Sequence, residues 1–248
     1  MPYIGRFAPS PTGPLHFGSL LTAVASYCDA KANHGKWLVR IEDTDIPRIY
    51  PNSENHIRSC IDAFQFEPDA EIICQKDRLE IYEQVLEQLK HLDAIYACQC
   101  TRKILGSNHI YVGTCRDLHL DFNDQAIRLK VADQLICFED RLQGQQSSNL
   151  KHDLGDFVLK RRDGIMSYQL AVVVDDYLQG ITHVVRGADL LDNTVRQIWL
   201  GSLLNYPSLN YMHLPLAMNH QGQKLSKQNL AQALDISKAS NLLQQAIL

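Results

Sequence analysis

Residues 3–45 constrain the fold more than any other stretch. A short, mixed apolar segment (3–8) runs into PSPTGP, which breaks regular structure. Gly18 and Ser19 open the stretch SLLTAVASYCDAKAN, where Leu20, Leu21, Val24, Ala25 and Cys28 recur at helical spacing. Asn33-His34-Gly35 ends it. WLVRI (37–41) reads as a buried strand with EDTD at its carboxyl end. Strand, loop, helix, strand is the opening of an α/β unit, so an α/β fold is expected.

Further along, 53–64 and 77–92 read as helices, and AIRLKV and LICFED as short strands. GQQSSNLKHD (144–153) reads as a loop or surface linker. FVLKRRDG and MSYQLAVVVDDYLQGITHVVRG are expected to return to the core as strands. A helix from about 189 to 205, a strand at LPLAM and one or two helices over 228–247 complete the pattern. There is no internal repeat and no low-complexity tract.

Composition narrows the function classes. An apolar content of 45% and a charged content of 21% are ordinary for a globular chain. No window approaches 18 continuous apolar residues, so no membrane partner is expected. MPYIGRFAPSPTG lacks the basic start and apolar run of a signal peptide. Seven cysteines (28, 60, 74, 98, 100, 115, 137) without an export signal point to reduced thiols and a cytoplasmic location. A net charge of −4 gives no global attraction to nucleic acid. Binding there would need local cations: Lys151, Lys160, Arg161, Arg162, Lys224, Lys227 and Lys238 are candidates, each of which could equally be a solvated face.

Two constellations carry chemistry. GRFAPSPTGPLHFGSL sets turn-formers and His16 just before a helix start, whose free backbone N–H groups favour an anion. Gly18 lets a flat group approach the backbone, and His16 can donate to a phosphate. Read alone, the segment is equally a proline-rich turn capping a helix. The second constellation is ACQCTRKILGSNHIYVGTC, in which Cys98, Cys100 and Cys115 have a spacing compatible with a structural zinc. Three thiols leave a fourth place. His109, Tyr111 or His119 could fill it, and ligand chemistry alone favours a histidine.

RFAPSPTGPLHFGSL resembles the first signature of glutamyl- and glutaminyl-type class I aminoacyl-tRNA synthetases, with His16-Phe17-Gly18-Ser19 at the place of the family's His-x-Gly-His element. KLSKQ (224–228) resembles its Lys-Met-Ser-Lys-Ser loop, with Leu for Met and Gln for the last Ser. The resemblance covers nearly the whole chain. It implies a Rossmann-type parallel sheet with an inserted zinc-bearing α+β subdomain and a short C-terminal helical segment. The expected division is a catalytic nucleotide-binding half over 1–94, the insertion over 95–165, the catalytic half continued over 166–228, and a helical tail over 229–248 with no anticodon-binding domain. By the same resemblance Arg6, Ala8, Ser10, Glu42, Tyr168 and Arg186 bind glutamate. His16, Gly18, Ser19 and Lys227 bind ATP, and His16, Lys224 and Lys227 are catalytic. Mg2+ accompanies ATP, and the YxGxC pattern favours Tyr111 as the fourth zinc ligand.

The chemistry suits that set. A glutamate substrate brings two carboxylates and an ammonium, and Arg recognises carboxylates bidentately. Glu42 can hold the ammonium. A carboxylate is already a nucleophile, so no general base is expected. Val172, four residues after Tyr168, stands where many glutamyl enzymes offer a polar residue, which implies a different affinity for free glutamate. Within the family the chain looks like the stand-alone paralogues without an anticodon domain. That implies tRNA-independent activation of glutamate and its transfer to queuosine in the anticodon stem-loop of tRNA(Asp), by a monomer. Basic residues of 144–163 are then expected to touch the RNA backbone. Two other readings stay open: a truncated enzyme charging tRNA(Glu), and a non-catalytic RNA-binding relic.

Overall fold

Ile4–Phe7 (β1) and Lys36–Ile41 (β2) pair in parallel, Arg6 opposite Leu38 and Phe7 opposite Val39, with the helix Phe17–Ala32 (α1) between them in the chain. The computed structural model describes residues 2–101, 104, 110–216 and 232–247. The next elements are Ser53–Ala63 (α2), Ile73–Cys74 (β3), Leu79–His91 (α3) and Ile95–Cys98 (β4). Ala126–Leu129 (β5), Leu135–Asp140 (β6), Gly144–Asn149 (β7) and Phe157–Lys160 (β8) follow. The chain continues with Tyr168–Leu178 (α4), His183–Gly187 (β9), Leu191–Leu203 (α5), Asn210–Leu214 (β10) and Ala239–Ile247 (α6).

Seven strands form one sheet in the order β3-β2-β1-β9-β10-β6-β7, parallel throughout except for the β6–β7 hairpin. Trp37, Val39 and Ile41 are wholly buried on one face of β2, and Leu38 and Arg40 are buried on the other, as in a strand covered on both faces. β4, β5 and β8 form a separate antiparallel sheet. The stretch 95–165 therefore feeds both sheets, because its β6–β7 hairpin joins the large one beside β10.

Three sequence expectations change. GQQSSN is an edge strand rather than a loop. It pairs with β6 along one side and buries none of its side chains fully, so it needs no apolar alternation. SYQLAVVVDDYL is a helix, not a strand. Ser167 caps it by accepting from the Leu170 N–H, and Leu170, Ala171 and Val174 bury one face, so packing overrides the β-branched run. The strand expected at LPLAM lies earlier, at NYMHL, which places His213 inside the sheet. No described helix is long and apolar enough to cross a membrane.

Candidate active site

Between β1 and β9 the order of the sheet turns from one direction of growth to the other, and loops leaving neighbouring carboxyl ends part there. A cavity of about 760 Å³ opens at that point. Arg6 reaches it from β1, Arg186 from β9, Glu42 from the end of β2 and Tyr168 from the first turn of α4. Ala8, Ser10, His16, Gly18 and Ser19 line it from the loop and helix start that follow β1. Lys224 and Lys227 lie outside the described residues.

The loop is fixed by its backbone. Pro9 accepts the Glu42 N–H at 3.0 Å, and Pro11 accepts the Tyr50 N–H at 2.9 Å and the Ser53 hydroxyl at 2.6 Å. The C-terminal segment adds a clasp, the Leu234 N–H donating to Leu15 at 2.9 Å. His16 is the extended N-cap of α1, and no side-chain cap closes the turn. The helix thus presents the positive end of its dipole, with no acidic residue in its first turn to offset it.

Beneath the cavity lies a buried ionic floor. Asp176 accepts from Arg6 Nε at 3.2 Å and pairs with Arg40 Nη2 at 2.8 Å. Arg40 Nη2 also reaches Glu42 Oε1 at 3.2 Å. The neighbouring Asp175 accepts from Gln75 at 2.8 Å and from Arg78 and Tyr82 at 2.7 Å. Burial would raise Asp176, but Arg6 and Arg40 hold its carboxyl below the usual range. For Glu42 burial prevails over the pull of Arg40 and Arg6, and its carboxyl is pushed up. A carboxylate so placed gains from a cation delivered by a ligand.

Arg186 is held differently. Its Nε donates to His213 Nε2 at 3.0 Å, Nη1 to Gln197 at 2.8 Å and Tyr168 at 3.2 Å, and Nη2 to Thr194 at 2.7 Å and the Leu190 carbonyl at 3.4 Å. Every one of these partners is neutral. Burial pushes the Tyr168 phenol up, so it stays a hydroxyl. Arg40, Asp175, Asp176, His213 and Asp140 were not singled out from the sequence. The one available signal was a pair of acids inside an apolar run, AVVVDD. Val172 is fully buried and does not line the cavity, so a valine at this position touches packing rather than the ligand face.

A second cleft of about 1110 Å³ continues from Ser10, Glu42 and Tyr168 toward the small sheet. Arg161 and Arg162 line it, whereas Lys151 and Lys160 do not. Lys160 is paired with Glu83 in a separate depression, and Lys151 lies 3.7 Å from Asp133.

At the far end of that cleft the sulfurs of Cys98, Cys100 and Cys115 lie within 4.8 Å of one another. Tyr111 Oη is 3.3 Å from both Cys98 Sγ and Cys100 Sγ, and Cys100 and Cys115 sulfurs are 3.5 Å apart. Arg128 Nε donates to Cys98 Sγ at 3.3 Å, and its guanidinium lies 4.0 Å from the centre of the Tyr111 ring. Gly155 makes this packing possible: at φ +65° a Cβ there would stand 2.5 Å from the Tyr111 carbonyl oxygen. His119 is exposed and is not part of the cluster, and His109 lies outside the described residues. A second group, Asp43, Glu54 and Cys74, already holds a cation, since Lys76 Nζ lies 2.8 Å from Glu54 and 3.4 Å from Asp43.

Residues 4–248 match the family described as tRNA synthetases class I (E and Q), catalytic domain. The chain is 77% identical over 245 residues to a glutamyl-Q tRNA(Asp) synthetase of Acinetobacter baylyi, covering 99% of this chain and 84% of that protein. It is 50% identical over 256 residues to the protein of the same name from Dechloromonas aromatica, covering 99% and 85%. Among solved structures it resembles a glutamate tRNA ligase from Elizabethkingia meningosepticum in complex with its amino acid. The TM-score is 0.81 at 31% identity, over 92% of this chain and 52% of that one, so the chain spans about half the length of that ligase.

Proposed function

The chain belongs to the class I tRNA synthetase family for glutamate and glutamine, and from that membership we propose that it activates glutamate with ATP, without tRNA, and then transfers the glutamyl group to queuosine at the wobble position of tRNA(Asp). The observation that carries this reading is the cavity into which Arg6, Arg186, Glu42 and a helix start without a side-chain cap all open.

The α-carboxylate must stay free to react, so the arginines hold the side-chain carboxylate and Glu42 the ammonium. An α-carboxylate oxygen attacks the α-phosphorus of ATP, and the bond to pyrophosphate breaks. Catalysis is mainly positioning and charge stabilisation, supplied on this side by His16 and the start of α1. Lys224 and Lys227 serve the leaving pyrophosphate, and Mg2+ bound with ATP offsets triphosphate charge. A queuosine hydroxyl then attacks the glutamyl carbonyl, AMP leaves, and an ester remains. The second cleft receives the nucleoside, with Arg161 and Arg162 near the RNA backbone.

The family also implies a structural zinc. The residues fit it: a tetrahedron with Zn–S bonds of about 2.3 Å has edges of about 3.8 Å, and the sulfur and phenol spacings of 3.3–3.5 Å come close to that. Cys98, Cys100, Cys115 and Tyr111 would hold the ion, with Arg128 offsetting the charge of the thiolates. Such an ion contributes folding energy to the small sheet rather than chemistry. All seven cysteines are free thiols, which suits a cytoplasmic enzyme.

The test is glutamate-dependent exchange of pyrophosphate into ATP without tRNA, followed by incubation with queuosine-bearing tRNA(Asp) or tRNA(Glu). The expected result is exchange, then a mass gain of one glutamyl group on tRNA(Asp) that alkali removes. No exchange, together with no ester on either tRNA, would make the chain a non-catalytic RNA binder. An ester on the 3′ end of tRNA(Glu) would make it a conventional charging enzyme.

A further inference from the structure

We infer that His213 and Asp140 are positioning residues that present Arg186 to the substrate carboxylate in one orientation while leaving its charge uncompensated. The inference rests on the glutamate reading above and adds residues that touch no ligand. Both are buried, His213 wholly and Asp140 at 1% exposure. Asp140 Oδ2 lies 2.6 Å from His213 Nδ1, and the same carboxylate accepts the His213 backbone N–H at 3.1 Å. Its other oxygen is occupied by two loop amides, those of Leu142 at 3.1 Å and Gln143 at 2.9 Å.

That arrangement fixes the imidazole. A carboxylate only accepts, so Nδ1 carries the hydrogen and Nε2 offers a lone pair. Arg186 Nε, which only donates, takes that lone pair at 3.0 Å. Thr194 and Gln197 hold Nη2 and Nη1 at 2.7 and 2.8 Å. The two remaining bonds, to Tyr168 at 3.2 Å and Leu190 at 3.4 Å, are the longest of the five. They are the ones a ligand carboxylate would replace, taking one N–H from each terminal nitrogen. An acid in place of His213 would hold the guanidinium as firmly but neutralise it. A neutral imidazole holds it and leaves the charge for glutamate. Tyr211, stacked 6.1 Å from the ring, and Arg6, whose charge also acts on it, are the other titratable or charged groups facing His213.

Asp140→Asn is the direct test. The two loop amides keep the amide oxygen on their side, so the NH2 faces Nδ1, and the ring must turn to the Nε2–H tautomer, donor against donor at Arg186. Nitrogen-15 imidazole spectra, with the His213 signals identified by their loss in His213→Gln, should show Nδ1–H in the native protein and Nε2–H in Asp140→Asn. In pyrophosphate exchange, Asp140→Asn should raise the KM for glutamate at least tenfold and leave that for ATP within twofold. His213→Gln, which retains an acceptor for Nε, should stay within about fivefold. Should Asp140→Asn fail to fold, His213→Asn takes its place, since it keeps the donor to Asp140, lacks the acceptor, and should show the same tenfold rise. An unchanged tautomer, a glutamate KM moved less than threefold, or equal rises for glutamate and ATP would overturn the inference. A native protein without exchange would defeat the glutamate reading, and the spectra would still judge the lock by themselves.

Discussion

The two arginines that reach the cavity stand in opposite electrical settings. Arg6 rests on the floor formed by β1, β2 and α4, where Asp176 neutralises it and Arg40, Asp175 and Glu42 complete a buried network. Arg186 projects from β9 into a wall of neutral partners, ordered from behind by His213 and Asp140. One residue type thus does two jobs. On the floor, charge meets charge and fixes the backbone geometry of three elements. On the wall, hydrogen bonds fix direction while the charge stays available. The difference teaches that guanidinium count is a poor guide to how a pocket grips a carboxylate; the partners decide.

The sharpest way to break the comparison is on the floor. Asp175 is wholly buried, and both of its oxygens accept from donors. In Asp175→Asn, the amide oxygen can stay with Arg78 only if Gln75 and Tyr82 turn to accept from the new NH2, and Arg40 and Arg78 lose a compensating charge. A loss of about 3–5 kcal/mol in unfolding free energy is expected by urea titration. A loss under about 1 kcal/mol would mean that the network is not what secures the floor.

The wall comes next. Arg186→Lys keeps the charge but gives up the forked geometry, and a lysine cannot be held at once by His213, Gln197 and Thr194. The expected cost is about 2–4 kcal/mol in kcat/KM for glutamate, roughly thirtyfold to a thousandfold. Pyrophosphate exchange at varied glutamate measures it. If Arg186→Lys lost less than Arg6→Lys, the assignment of the free charge to Arg186 would be reversed.

These expectations rest on residues of unequal visibility. Arg6, Glu42, His16 and Gly18 stand in ordered local motifs, so resemblance to the family's signatures singles them out, and they line one cavity. The cysteine cluster was legible as spacing. Asp175, Asp176 and His213 were not, because their meaning lies in partners far off in the chain. His213 meets Asp140 from 73 positions away, and Gln75 meets Asp175 across 100. AVVVDD misled in a particular way. Its β-branched run suggested a strand, whereas the capped helix it forms is what aims both acids at the arginines. The β7 edge misled by being polar, since a strand paired on one side that buries none of its side chains fully carries no apolar pattern.

Acidification separates the two regions in time. His213 is held below 6.5 by burial, with Arg186 adding to the effect against the pull of Asp140. A group whose folded pKa is depressed contributes stability above its unfolded value and loses it as pH falls through the folded one. The wall therefore weakens first, as pH falls from 6.5 and His213 takes a second proton beside Arg186. Asp176, depressed from 3.8, keeps its pairs with Arg6 and Arg40 until pH falls below that value, although Glu42, pushed up from 4.5 by burial, gives up its charge earlier. The KM for glutamate should rise in mild acid well before the protein unfolds, with the unfolding free energy falling over the same window as His213 takes up its proton. A KM that stays flat until unfolding begins would erase the distinction.

The smallest test separates the two kinds of support within the wall itself. Thr194 Oγ1 accepts from Arg186 Nη2 at 2.7 Å and lies 3.2 Å from His213 Nε2 and 3.5 Å from the Leu190 carbonyl. Thr194→Val has nearly the same shape and removes one neutral acceptor, so the expected cost is about 1 kcal/mol, or roughly fivefold in the KM for glutamate. Because His213 and Gln197 still hold the guanidinium, its direction should survive and kcat should not move. The effect should also be additive with a floor variant such as Arg78→Lys, since the two sites share no partner. Coupling between them greater than about 0.5 kcal/mol would mean that floor and wall act as one network, and that the free charge of Arg186 is tuned from below as well as from behind.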